Sequence, residues 1–222
     1  MDPMTICSVA EIHDLFRAGL SQPARMQLVS CAAQAHASAK QLMRGWSTSR
    51  DLARDVFPHL FRLDFQTRLA TLALPGVHVR IEQNANGTSA FAEVRTETVR
   101  VTSLTRAREP LQLPVAHYRE TRARDSQTTF NFFDEPPAPP PADGTELFGV
   151  YVYGGGHREF KLAKLYFPVP GLPLRAIPPL DLLLEYQRVV GSGAAAETVR
   201  PTEAASEVML NLKKRVKTNA EE

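Results

Sequence analysis

The amino-acid sequence predicts an α+β protein, in which an N-terminal helical layer packs on an antiparallel sheet of about five or six strands and further helices follow at the C-terminus. Three observations lead to this class. Apolar residues recur at helical spacing up to about residue 74, the period then changes to two as far as Phe167, and helical spacing returns from Asp181. Helices and strands therefore occupy separate stretches of chain, which favours α+β over a doubly wound parallel sheet.

Two helices are predicted before residue 50. Ser8 and Glu11 have the spacing of a capping box, in which the hydroxyl and the carboxylate each accept a hydrogen bond from a backbone N–H of the first turn. Ser21 is placed to cap a second, alanine-rich helix that runs to about Trp46.

A third helix is predicted from about Asp51 to Leu74, where Pro75 and Gly76 end it. Pro58 lies inside this stretch. Because proline lacks an N–H donor and its ring clashes with the preceding turn, we expect a kink or break near Phe57.

Alternating apolar residues predict strands from residue 77 to 167. The first three strands form an antiparallel meander, with a turn at residues 84–87, and a fourth covers residues 115–121. A proline-rich connector at 134–143 can be neither helix nor central strand. After it, Leu147–Tyr153 is apolar enough for a central strand, and three glycines turn the chain into a last strand, Phe160–Phe167.

The remainder of the chain predicts one domain with an appendage. Residues 168–190 hold an irregular return and a short helix, which closes a single domain of residues 1–190. Residues 191–201 are typical of a flexible linker. Residues 202–222 predict an amphipathic helix and tail, whose segment 202–217 we expect to dock on a protein partner or on a second copy of the chain, with a frayed tail of no role as the alternative.

Composition and charge restrict the possible functions. With 222 residues, of which 43% are hydrophobic, the chain can bury a sizeable core. Its formal charge is only +2, so nucleic-acid binding would need a local basic patch. No apolar run reaches the roughly 20 residues that span a bilayer, and the first residues do not form a secretory signal. These features predict a cytoplasmic protein without membrane contact.

Most catalytic and metal-site motifs are not found in the sequence. Cys7 and Cys31 lie in predicted helices and are expected to be buried apolar side chains, in preference to a disulfide or redox pair. The histidines are scattered, with no spacing that favours zinc. No nucleophile elbow or phosphate-binding loop is present, so no cofactor is predicted.

The spacing of three charged residues resembles the active-site motif of a nuclease family. Asp143, followed by Glu159 and Lys161, resembles the acidic and lysine positions of the PD-(D/E)XK nuclease family. That resemblance implies that the two carboxylates hold Mg²⁺ while the lysine positions or activates water. The match covers only a short stretch, and Asp143 falls in a proline- and glycine-containing loop. A solvated hairpin of alternating charges is therefore the favoured interpretation.

Basic residues cluster along the predicted sheet. The candidates for contact with nucleic acid are Arg80, Arg95, Arg100, Arg119, Arg122, Lys161 and Lys164. The arginine guanidinium is a planar fork that matches phosphate, and nearby tyrosines offer stacking surfaces. Acidic residues such as Glu93, Glu97 and Glu120 are interleaved, however, which also fits an ordinary mixed-charge surface.

Several apolar segments resemble an uncharacterised bacterial family associated with mobile-element or defence genes. The resemblance is carried by residues 130–135, 146–156 and 160–168, together with Asp181 and the two leucines that follow it. It implies no reaction and transfers no site residue. We therefore predict a non-enzymatic binding or regulatory protein that acts through protein contacts or a basic sheet face, with a Mg²⁺-dependent nuclease as the alternative.

Overall fold

The computed structural model describes residues 9–44, 50–83, 90–110, 112, 147–156, 158–169 and 173–191, without the side chains of residues 50–54. The chain divides into two compact units, Met1–Tyr186 and Gln187–Glu222. The α+β class is confirmed, with four helices and a six-stranded sheet in the part of the chain given above.

The helices are α1 (Val9–Gly19), α2 (Gln22–Arg44), α3 (Arg50–Ala70) and α4 (Leu182–Gly191). Ser21 caps α2 as predicted, since its hydroxyl oxygen lies 3.5 Å from the backbone nitrogen of Ala24. Asp181 caps α4 in the same way, because the backbone N–H of Leu184 donates to its carboxylate at 2.9 Å. Ser8, the predicted cap of α1, lies outside the described residues.

Helix α3 continues through Pro58, so a break near Phe57 is wrong, whereas a kink there stays a prediction. Phe57, Phe61 and Phe65, on both sides of the proline, are each buried in the same core. Burial of a phenylalanine side chain contributes about 1.5–3 kcal/mol. The phenylalanines therefore hold both halves of the helix against the sheet and offset the cost of the missing backbone hydrogen bond.

The strands are β1 (His78–Gln83), β2 (Ala90–Arg95), β3 (Val99–Arg106), β4 (Leu147–Gly154), β5 (Leu162–Tyr166) and β6 (Leu180–Asp181). Their order in the sheet follows the chain. Four neighbouring pairs are antiparallel, but β3 and β4 are parallel, so the sheet is mixed and not wholly antiparallel as expected. The connection of residues 107–146 is long enough for the crossover that parallel strands require.

Several predicted features lie outside the described residues. These are the turn at 84–87, the strand at 115–121, the proline-rich connector at 134–143, the linker from residue 192 to 201 and the helix at 202–217.

The two faces of the sheet differ in what covers them. On one face, Tyr151 and Tyr153 of β4 pack against Phe61 and Phe65 of α3 within the main core. Side chains alternate along a strand, so Phe148, Val150 and Val152 belong to the opposite face, where they form a smaller core with Leu162, Tyr166 and Leu174. Strand β4 is buried throughout, which confirms its predicted central position.

Candidate nucleic-acid interface on the sheet

Four of the predicted cationic residues share the sheet face that lies opposite the helices, with Arg80, Arg95 and Arg100 at one end of it and Lys164 at the other. Strand register places His78 directly across from Arg95, and Arg95 across from Arg100. Arg80 lies in the next row, where it faces Glu93. Directly opposed side chains have Cβ atoms about 4.5–5.5 Å apart, so these residues form a compact group, which we call the basic edge.

A buried carboxylate balances part of the basic edge. Glu93 is only 5% exposed, and its Oε1 lies 3.8 Å from Nε of Arg100. A charge buried to this extent is costly unless an opposite charge lies close by. Arg100 therefore serves first to neutralise Glu93, and the exposed arginines of the basic edge are Arg80 and Arg95, with His78 exposed beside them.

At the other end of this face, Lys164 takes part in internal ion pairs. Its ammonium lies 3.0 Å from Glu109 and 3.9 Å from Asp181. The Tyr166 hydroxyl donates to Glu109 at 2.8 Å, and Arg175 lies 3.6 Å from the same carboxylate. We call these five residues the Glu109 cluster. The cluster links the segment that follows β3 with three other places, namely β5, β6 and the segment that precedes β6.

The Glu109 cluster changes the acidity of its members. Burial alone would raise the pKa of Glu109, but hydrogen bonds from Tyr166 and Lys164 and the charges of Lys164 and Arg175 outweigh burial and lower it. Burial and the hydrogen bond to Glu109 raise the pKa of Tyr166. The cluster is thus a stable ionic link at neutral pH, and Lys164 is less accessible to a phosphate than the exposed arginines.

The other predicted cationic residues fall in two places. Lys161 is exposed in the connection between β4 and β5. Arg119 and Arg122 lie outside the described residues, so their contribution to the face stays a prediction.

The nuclease-like residues are only partly described. Glu159 and Lys161 are both exposed and lie two residues apart in the β4–β5 connection. Asp143 falls outside the described ranges, so its approach to Glu159 stays a prediction. Within those ranges, no group of three or more His, Cys, Asp or Glu side chains is arranged to hold a metal ion.

Two histidines and one cysteine are used in packing. His36 is buried beside Phe57 and Phe61, and its Nε2 donates to the Gly156 carbonyl at 2.9 Å. His13 donates to the Pro178 carbonyl at 2.8 Å. Cys31 is buried and free, as predicted, and burial raises the pKa of its thiol to about 11. Its reactive thiolate is therefore scarce at neutral pH. Cys7 lies outside the described residues.

One buried charge pair escaped prediction from the sequence. The Arg25 side chain is 6% exposed, and its guanidinium lies 2.6 Å from the Glu185 carboxylate, with further bonds to the carbonyls of Arg17 and Leu20. A pair whose members lie so far apart in sequence leaves no local pattern.

No protein-family model, curated protein or solved structure matches this chain. Among the described helices, none is long and apolar enough to cross a membrane. Inference about function therefore depends on the chain's own residues, and chiefly on the basic edge.

Proposed function

We propose that this chain is a non-enzymatic binding or regulatory protein that contacts a polyanionic partner, nucleic acid, through the basic edge of its sheet. The observation that carries the proposal is the register that aligns His78, Arg95 and Arg100 across three strands, with Arg80 beside them. Arg80 and Arg95 are exposed on this face, where the phosphates of a partner can reach their guanidinium groups.

The chemistry of the basic edge fits phosphate better than it fits bases. Arginine binds phosphate oxygens through two parallel N–H donors, and such contacts do not depend on sequence. The formal charge of +2 is too small to attract nucleic acid over the whole surface. We therefore expect weak binding without sequence preference, strongest at low salt.

The test is binding of a fluorescent single-stranded oligonucleotide at several salt concentrations. The logarithm of the binding constant should fall linearly with the logarithm of salt concentration, because each phosphate contact releases counterions. In the double variant R80Q/R95Q, each lost contact should reduce that slope by about 1. The matched control is R44Q, which removes an exposed arginine from the C-terminal end of α2.

Two results would overturn the proposal. One is a binding constant that does not change with salt. The other is an equal loss of binding in R44Q and R80Q/R95Q, since it would indicate a general charge effect.

The metal-dependent nuclease is the second candidate. The exposure of Glu159 and Lys161 on one connection favours it, since a catalytic carboxylate and lysine must both reach the substrate. Incubation of DNA with the protein and Mg²⁺ or Mn²⁺ should then give cleavage that E159Q and D143N abolish. Intact DNA under these conditions rules out this candidate.

A further inference from the structure

Strand β1 forms an open edge of the described sheet. Within that sheet it has a neighbour, β2, on one side only. Its side chains are largely open to solvent, and Ile81 is 42% exposed. The outer side of a six-residue edge strand offers backbone donors and acceptors, and is therefore a template for pairing with another strand.

We propose that β1 pairs antiparallel with β1 of a second copy of this chain, across a two-fold axis at Ile81. The two sheets would join into one, with the helices of both copies on the same side. Such an interface is self-complementary, as two-fold symmetry requires. This proposal does not depend on the nucleic-acid function.

Backbone geometry limits the possible registers. In an antiparallel ladder, two directly opposed residues behave alike. Either both exchange backbone hydrogen bonds with each other, or the backbone N–H and C=O groups of both point away from the partner strand. Along β1, the residues whose N–H and C=O groups point outward alternate with residues whose groups point toward β2. Consequently an even-numbered residue of one copy must face an even-numbered residue of the other, and an odd-numbered residue must face an odd-numbered one.

The charges of β1 then choose between the two registers with the greatest overlap, which are centred on residues 80 and 81 and each pair five residues. A register centred on residue 80 places Arg80 against Arg80 and His78 opposite Glu82 twice. The register centred on residue 81 instead places Arg80 opposite Glu82 twice and Ile81 opposite Ile81. Opposite charges and apolar pairs stabilise cross-strand contacts, whereas like charges destabilise them. The sequence of β1 therefore fits the register that is centred on Ile81.

Pairing would also extend the surface that carries charge. Residues directly opposed in a ladder point to the same face, so the two basic edges would lie side by side on one continuous face. The pairing would also bury Ile81 against its copy.

A charge-swap experiment tests the register. The wild-type chain, of 24.6 kDa, should have twice that mass in sedimentation equilibrium or light scattering. In the register centred on Ile81, R80E places a carboxylate opposite Glu82 at both symmetry-related contacts. E82R places a guanidinium group opposite Arg80 at the same two contacts. Each variant alone should therefore raise the dissociation constant of the dimer by roughly tenfold or more. An equimolar mixture of R80E and E82R restores both opposite pairs, and a heterodimer should form, detected by native mass spectrometry.

Further variants separate the interface from the fold. Because Arg80 also faces Glu93 within its own sheet, circular dichroism is used to check that R80E is folded. The variant I81K disrupts the strand pairing in a second way, by placing two lysines opposite each other at the two-fold axis. The control R44E reverses an exposed charge on α2 and should leave the mass unchanged. A monomeric wild-type chain overturns the proposal. So does a dimer that survives R80E, E82R and I81K, or a mixture of the two charge variants that forms no heterodimer.

Discussion

Gly154 and Gly155 determine how the β4–β5 hairpin can close. Both have positive φ angles, 149° and 141°, that side chains on L-residues rarely adopt. A Cβ atom on Gly154 would lie 1.9 Å from the Arg106 carbonyl oxygen, and one on Gly155 would lie 2.2 Å from that of Glu159. The three consecutive glycines predicted a turn, but which of them are indispensable follows only from these contacts.

Alanine substitutions should separate the three glycines. We expect G154A and G155A each to lower the free energy of unfolding by at least about 2 kcal/mol, because neither the φ angle nor the nearby backbone accommodates a methyl group. Gly156 has no atom within 4 Å of the position of its Cβ and is the matched control. G156A should change stability by less than about 0.5 kcal/mol in urea unfolding. Equal effects at all three positions would contradict the assignment.

Glu109 should make the stability of the protein dependent on acid pH. Its pKa is lowered in the folded state, so its stabilising effect is present above the pKa of the unfolded chain and is lost as pH falls through the folded value. The difference in the free energy of unfolding between wild type and E109Q should therefore be largest at neutral pH. It should shrink as the pH falls below about 4. Urea unfolding over a pH series measures it, with D14N as an exposed control. A difference that persists unchanged in acid would show that Glu109 acts through packing alone.

At the level of elements, an ion pair joins α4 to α2 beside the apolar contacts of Leu182 with the main core. Arg25 of α2 lies 2.6 Å from Glu185 of α4, and their side chains are 6% and 26% exposed. E185A leaves the guanidinium buried without its carboxylate, and we expect a loss of about 3 kcal/mol in the free energy of unfolding. The matched control is D14A, which breaks an ion pair to Arg17 whose side chains are 50% and 74% exposed. That loss should stay below about 0.5 kcal/mol in the same denaturation assay.

Patterns of neighbouring residues predicted most of the helices and strands. Contacts between residues far apart in the sequence could not be predicted in this way. The cap at Ser21 and the turn at Gly154 depend on neighbouring residues, so spacing was sufficient to find them. The parallel pairing of β3 with β4 depends on the path of residues 107–146, for which no short pattern exists. The Arg25–Glu185 pair and the Glu109 cluster were missed for the same reason. Of the candidate sites, the sequence located Arg80, Arg95 and Arg100 on one face through their period of two, but it did not show that Glu93 is buried among them.

For the whole molecule, the hydrophobic core of the described residues is formed without the C-terminal tail. All buried core residues of the described part lie at or before Leu182. A chain that ends at Gly191 should therefore unfold cooperatively with nearly the same melting temperature as the full chain, measured by circular dichroism. If residues 202–217 dock on a partner, the shortened chain should lose that partner while it keeps its fold. A large drop in melting temperature would instead indicate that the tail completes the core.

The parallel pairing of β3 with β4 also has a consequence for the time course of folding. The β1–β2–β3 meander and the β4–β5 hairpin each need only nearby residues and can form early, whereas their junction must wait until the ends of residues 107–146 come together. Closing a loop costs entropy that grows only with the logarithm of its length, so stability depends little on this segment while the folding rate depends on it more strongly. The centre of the sheet, which is the most deeply buried part of the described fold, is thus expected to be the last part to assemble.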